Sequence, residues 1–281
     1  PLWLRPHNFS IVAGMVTTLG ILGAMQGEIM LAKLVDDIGW QPTLIYFAHA
    51  GVILTFIIYF LVRDRSLKAR VPFKPTTNTH WGTLFKGLLQ VLKNKQIWII
   101  GTIGALLFLS LSAFAELWGA SYFQAAYDMS RVDSAKAVGM VFLGWAIGGP
   151  IMGFISDRLR RRVLPITVGA IFAAIFAATF LYVPGLTHTP LLLLLFCYGV
   201  SCSVQVIVFA LGRENSPVTL AAISIAAVNM LVMLGGVIFQ PLIGKILDLV
   251  LADKTIDELE IYSGYDYQVA LIVLPIAAAT A

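Results

Sequence analysis

LGAMQGEIMLAKLVD, residues 22–36, sets a carboxylate, Glu28, inside an apolar run, and LGGVIFQPLIGKILD, residues 234–248, nearly copies it. Laid one over the other, Gly23 falls on Gly235, Glu28 on Gln240, Ala32 on Gly244, Lys33 on Lys245 and Asp36 on Asp248. Upstream, Val16 falls on Val228 and Leu19 on Leu231. An acid at the centre of a membrane helix costs about 2.5–3.5 kcal/mol on the insertion scale, so it is kept only where it faces other helices or a wet cavity. The pair of segments implies a chain built from two related halves.

Composition agrees with a lipid solvent. The 281 residues are 59% hydrophobic and 12% charged, where globular proteins carry about 25% charged residues. One soluble core of this size could not cover so much apolar surface. A crossing needs about 20 apolar residues. Candidate spans run over 9–34, 43–62, 97–124, 134–155, 164–183, 189–211 and 218–249. An eighth starts near Tyr267 and reaches Ala281, about 22 Å at helical rise, too short to cross. With no Met or signal segment before Pro1, the chain reads as a fragment.

Basic residues sort by gap. Arg5 precedes the first span; Arg63, Arg65, Lys68, Arg70, Lys74, Lys86, Lys93 and Lys95 lie between the second and third; Arg158, Arg160, Arg161 and Arg162 follow the fourth, and Arg213 follows the sixth. If the spans alternate, all of these share one side, which the positive-inside rule makes cytoplasmic. The other gaps hold mainly acids: Asp36, Asp37, Asp128, Asp133, Asp253, Asp257, Glu258, Glu260 and Asp266. The pI of about 9.1 therefore reports membrane topology, not a nucleic-acid partner.

Trp40, Trp118 and Tyr122 fall near outer span ends, as interfacial aromatics do. GTLFKGLLQVLKNK, residues 82–95, puts Leu84, Leu88, Leu89 and Leu92 on one face and reads as a helix lying on the inner membrane surface, after a Pro/Thr-rich linker. Cys197 and Cys202 have no metal-ligand spacing. Phosphate-loop, Gly-x-Ser-x-Gly and His-Glu-x-x-His motifs are absent, which disfavours a membrane enzyme, and nothing calls for a cofactor or metal.

The second copy begins six spans after the first, in the same orientation, and parallel six-helix repeats are the arrangement of major facilitator transporters. GFISDRLRRRV, residues 153–163, resembles the superfamily's Gly-x-x-x-Asp-Arg-x-Gly-Arg-Arg loop, with Gly153, Asp157, Arg158, Arg161 and Arg162 on the motif positions and Arg160 where the pattern has Gly. IGWQP, residues 38–42, resembles the family's Gly-Trp-Arg turn, and AELWGASYF, residues 115–123, resembles a seventh helix of bacterial organic-solute permeases. The resemblance implies an all-α membrane protein with a partial major facilitator fold, running from about the fifth helix to the start of the twelfth. It assigns 1–63 to the last two helices of an N-terminal six-helix bundle, 64–95 to a central cytoplasmic loop with an amphipathic helix, and 96–281 to a C-terminal bundle with its last helix truncated.

The same resemblance makes Gly153, Asp157, Arg158, Arg161 and Arg162 a gating loop, a cytoplasmic latch that stabilises the outward-open state. Asp157 is expected to pair with Arg161, four residues on, and Gly153 to pack against a helix. Glu28 and Glu116 are the proton-coupling candidates, being the acids inside spans. Ser112, Glu116, Gly119 and Phe123 share one α-helical stripe, and in the family the seventh helix lines the cavity. Ser112, Gln205, Asn229 and Gln240 are the substrate-cavity candidates. Gly20, Gly23 and Gly27, like Gly144 and Gly148, are read as close-packing positions. Lys33 with Asp36, and Lys245 with Asp248, are expected to pair.

The function expected is secondary active transport of a small organic anion, amino acid or short peptide by proton symport. The protein is expected to act as a monomer in a bacterial inner membrane. The absence of Pro from Ile11 to Gln41 weighs against a drug/proton antiporter. A transporter-like solute sensor shares every feature above.

Overall fold

The computed structural model describes residues 6–61, 81–252 and 262–281, and every regular element among them is helical. The chain forms two units, Pro1–Thr79 and His80–Ala281.

In the first unit, α1 (Pro6–Ile38) and α2 (Trp40–Leu61) meet at Gly39. Its φ of +83° lies where a side chain would be strained. The turn closes through Gly39 N–H donating to the Val35 carbonyl (3.0 Å) and Thr43 Oγ1 donating to the Gly39 carbonyl (2.7 Å). Near that turn Ala32 and Thr43 are buried. Further along α1, a Cβ at Gly20, Gly23 or Gly27 would meet nothing within 4 Å. Within this unit, then, α2 is not what these glycines pack against.

The second unit begins with α3 (Trp81–Leu92) and α4 (Lys95–Leu109). A π-helical stretch, Ser110–Trp118, links α4 to α5 (Gly119–Tyr127). Then come α6 (Arg131–Leu159), α7 (Val163–Tyr182) and α8 (His188–Cys202). A 3₁₀ turn, Ser203–Val206, leads into α9 (Ile207–Glu214). The chain closes with α10 (Ala221–Ala252), α11 (Gly264–Ala270) and α12 (Val273–Thr280). Among the described residues, six helical stretches are long and apolar enough to cross a membrane: 40–61, 95–127, 131–159, 163–182, 188–214 and 218–252. They match the expected spans from the second to the seventh. The expected first span lies within α1, 33 residues long, and the incomplete last one is divided between α11 and α12.

Glycines set how closely the helices of the second unit pack. A Cβ on Gly144 would run into the Phe196 carbonyl, and one on Gly199 into the Val141 carbonyl, so α6 and α8 touch backbone to backbone. Gly148 meets Ser203 and Gly169 meets Val204. Between α4 and α10, Gly101 receives Leu231, Gly104 receives Val232 and Gly235 approaches Ala105 (3.0 Å). Without a hydrophobic driving force between helices in lipid, such small-residue seams carry the association.

Two expectations about surface residues change. Tyr122 is fully buried, not interfacial. Its hydroxyl donates to the Phe180 carbonyl (3.0 Å), one of the orphan acceptors at the end of α7, and Tyr127 does the same (3.0 Å). In α3 the face turned to the bundle is Gly87, Leu88, Val91 and Leu92, because Gly87 lets Ile223 come close (2.7 Å to a Cβ position). Leu84 and Leu89 stay exposed.

Candidate functional site

At the α6–α7 turn, Arg160 takes the left-handed conformation (φ 52°), the place where the loop pattern has glycine, and its N–H returns to the Asp157 carbonyl (3.3 Å). The tight turn forms without the glycine. It delivers Arg162 between two carboxylates. Nη1 donates to Asp157 Oδ1 and to the buried Ser156 hydroxyl (3.1 Å). Nη2 and Nε both donate to Glu214 Oε1, at 2.8 and 3.1 Å. These bonds, to Glu214 first and Asp157 second, hold the guanidinium pKa above its ordinary value. The partner of Asp157 is therefore Arg162, not Arg161. The turn at Arg160 interrupts helical spacing and leaves Arg158 and Arg161 exposed, the latter offering its carbonyl to Ser156 (3.3 Å). Gly153 makes no close approach, since a Cβ there meets nothing within 4 Å.

Asn94 links the same end of the bundle to α9. Its side-chain oxygen caps α4 by accepting from Gln96 N–H (3.0 Å), and its amide donates to the Asn215 carbonyl (2.9 Å).

A second polar feature is a seam between the π-helical stretch and α10. Gln240 Nε2 donates to the Ser112 carbonyl, while Trp118 Nε1 donates to the Gln240 carbonyl (3.3 Å). Gly236 and Gly244, one turn to either side, leave room for Ser112 and for the Trp118 ring, each 3.3 Å from a Cβ position. Gln240 and Ser112 are thus brought together. Glu116 is not with them.

The expected stripe of Ser112, Glu116, Gly119 and Phe123 is broken. Ser112, Gly119 and Phe123 are buried, but Glu116 and Leu117 are exposed. The stripe assumes α-helical pitch throughout, whereas Ser110–Trp118 is π-helical.

The sequence of residues 1–240 matches the Major Facilitator Superfamily model. That is most of the chain. The chain belongs to the Major Facilitator Superfamily. It is accordingly an integral multi-pass membrane protein and a secondary transporter, not an enzyme, working on a small-molecule substrate within a bilayer. No curated protein matches it.

The remaining candidates of this superfamily member are spread out. Glu28 is half-buried in α1, in the first unit. Asn229 is exposed on α10. Gln205 is buried in the 3₁₀ turn with no partner for Nε2, and the Trp145 Nε1 of α6 is likewise buried without one. A cavity of about 520 Å³ opens between α10 and α11, lined by Ile246, Leu249, Val250, Ala252, Tyr265 and Val269, none of them a candidate. Asp248 accepts the Tyr262 hydroxyl in place of the Lys245 pairing expected from spacing. Among the described residues, no group of His, Cys, Asp and Glu is placed to hold a metal.

Sequence reasoning missed Glu214 and Trp118. Glu214 carried a usable signal, being an acid beside Arg213 in a basic gap, which is the argument that singled out Asp157. Trp118 carried none for this role, its place near a span end marking it only as an interfacial aromatic.

Proposed function

We propose that this transporter takes up a small organic solute (an organic anion, amino acid or short peptide) together with protons by alternating access. The arginine-bearing turns face the cytoplasm of a bacterial inner membrane, and the protein acts as a monomer. Residues 1–63 close an N-terminal bundle, 64–95 form the central loop and 96–281 belong to the C-terminal bundle.

The observation that carries alternating access is the Arg162 clamp. Its carboxylate partners are 71% and 48% exposed, and exposed ion pairs contribute only about 0.2–1 kcal/mol each. Such a clamp adds little to folding but enough to bias two conformations of similar energy, which is what a latch that must reopen requires. In this reading Asp157, Arg158, Arg161 and Arg162, with Gly153, form the gating loop, and Glu214 completes it.

Glu28 and Glu116 carry the proton, and Ser112, Gln205, Asn229 and Gln240 contact the solute. Gln205 supports its part by having a buried donor that needs an acceptor. The test is reconstitution of the full-length protein into liposomes with an imposed pH gradient, following entry of labelled lactate, glutamate and a dipeptide. Acid-outside accumulation of one of these is expected, falling about 100-fold or more in Glu28→Gln or Glu116→Gln, the range of a lost proton-transfer group. Gradient-driven entry that survives in both variants would sink proton coupling.

A further inference from the structure

Two buried N–H groups of the second unit have no acceptor, and they belong to neighbouring elements. One is Nε1 of Trp145 on α6; the other is Nε2 of Gln205 in the 3₁₀ turn. Buried donors are nearly always bonded, so two orphans at one junction call for a reason.

The packing around them shows that they share a junction. Trp145 lies three and four residues before Gly148 and Gly149, on the same face of α6. Gly148 abuts Ser203 and Gly149 touches Val206 (3.6 Å from a Cβ position), which places the 3₁₀ turn on that face. Gln205 stands three residues before Val208, and Val208 fills the space at Gly104 of α4. Residues three apart are neighbours in α and 3₁₀ helices alike, so Gln205 is turned toward α4 as Val208 is. One turn beyond Gly104 comes Phe108, whose ring meets the Trp145 indole edge to face, with centroids 6.2 Å apart. Of the three side chains Phe108 alone is not buried, and a solute reaches the two donors past its ring.

What the pair can hold follows from its charge. Both groups are neutral donors. Along α4, α6, α8, the 3₁₀ turn and α9, the nearest cationic side chain is Arg213, eight residues past Gln205 and about 12 Å away at helical rise. A carboxylate placed here would lose its water and find no counter-charge, which is costly. An uncharged carbonyl oxygen has two lone pairs and accepts from both N–H groups at once. Among the solutes that the uptake reading allows, organic anions and simple amino acids carry their carbonyl oxygens on ionised carboxylates. A short peptide adds an uncharged amide carbonyl.

We propose that Trp145 and Gln205 form a subsite for the amide carbonyl of a short peptide, covered by Phe108. The choice of a peptide rests on the uptake reading; that these two donors take their acceptor from a ligand does not.

The test uses full-length protein in lipid nanodiscs and tritiated dialanine, with binding read by scintillation proximity. Saturable binding is expected, displaced by N-acetyl-L-alanine N-methylamide but not by a hundredfold excess of lactate or alanine. Trp145→Phe and Gln205→Met each remove one donor and are expected to weaken binding at least tenfold. Absent dialanine binding, displacement by lactate as readily as by the diamide, or variants that bind like the parent would overturn the proposal. A second measurement needs no ligand. Replacing an unbonded buried amide by an apolar side chain of similar length is neutral or stabilising, so Gln205→Met is expected to melt at or above the temperature of the parent. A marked fall, or failure to fold, would show that the amide has a partner inside the protein and would equally overturn the proposal. Uptake is followed in parallel. Gradient-driven entry of lactate with dialanine ignored would remove the subsite and leave transport standing, whereas dialanine that binds but does not move with protons would remove symport and leave the subsite.

Discussion

α1 and α10 are the two copies of one repeated segment, nearly equal in length at 33 and 32 residues, yet they are used differently. In α10, Gly235 lies against Ala105, Gly236 against Ser112 and Gly244 against Trp118. In α1, Gly20, Gly23 and Gly27 meet nothing within 4 Å. Small residues at helical spacing allow a close approach; they do not by themselves create one. What converts the stripe into a seam is a partner whose own surface is shaped for it, as the π-helical stretch is for α10. The Glu28-to-Gln240 difference follows the same division, with a titratable group in one copy and a bonded amide in the other.

The contrast is broken most severely at the tightest seam. A methyl group on Gly144 or Gly199 would overlap a backbone carbonyl of the opposite helix, which cannot rotate away as a side chain can. Gly144→Ala and Gly199→Ala are each expected to cost about 1–3 kcal/mol, the range for overpacked interiors. The difference is to be read as a lower melting temperature of the full-length protein in detergent. If both melt like the parent, backbone contact between α6 and α8 is not what holds the bundle.

Much of the α6–α8 seam was legible beforehand, since Gly144 and Gly148 recur one turn apart on an apolar span. The spans were legible for a similar reason: hydropathy over about 20 residues is a property of composition, and few alternatives satisfy the backbone in lipid. The π-helical stretch was not. Side-chain pattern in SLSAFAELW, residues 110–118, is compatible with i to i+4 bonding, and nothing in it marks the i to i+5 bonding that forms. The stripe through Ser112, Glu116, Gly119 and Phe123 was therefore drawn at a pitch the segment does not keep. The loop at 153–163 was half legible: the acid in a basic turn marked Asp157, but its arginine partner depended on a left-handed turn at Arg160, a conformation that a non-glycine residue does not advertise.

A smaller effect separates the charged end of the bundle from its seams. Arg162→Ala leaves Asp157 and Glu214 with ample access to water, so the expected loss is on the order of 1 kcal/mol or less. Added salt should shrink the gap between variant and parent, because screening weakens exposed pairs. A loss larger than that for Gly144→Ala would mean that the clamp is structural, and the latch reading would lose its basis.

The finest comparison applies one substitution to the matched positions Gly23 and Gly235. Alanine in a helix interior is favoured over glycine by roughly 0.5–1 kcal/mol through backbone entropy. In a protein of residues 1–281 nothing within its own unit opposes that gain at Gly23, where a Cβ meets nothing within 4 Å. At Gly235 the methyl would sit 3.0 Å from the Ala105 Cβ and 3.3 Å from its carbonyl oxygen, so the neighbouring helix must yield by a few tenths of an ångström. Gly23→Ala is expected to raise the melting temperature slightly, while Gly235→Ala leaves it unchanged or lowers it. Equal gains at both positions would show that α4 can move away from α10 at little cost. The repeat would then have lost its asymmetry in packing and kept it only in the chemistry of Glu28 and Gln240.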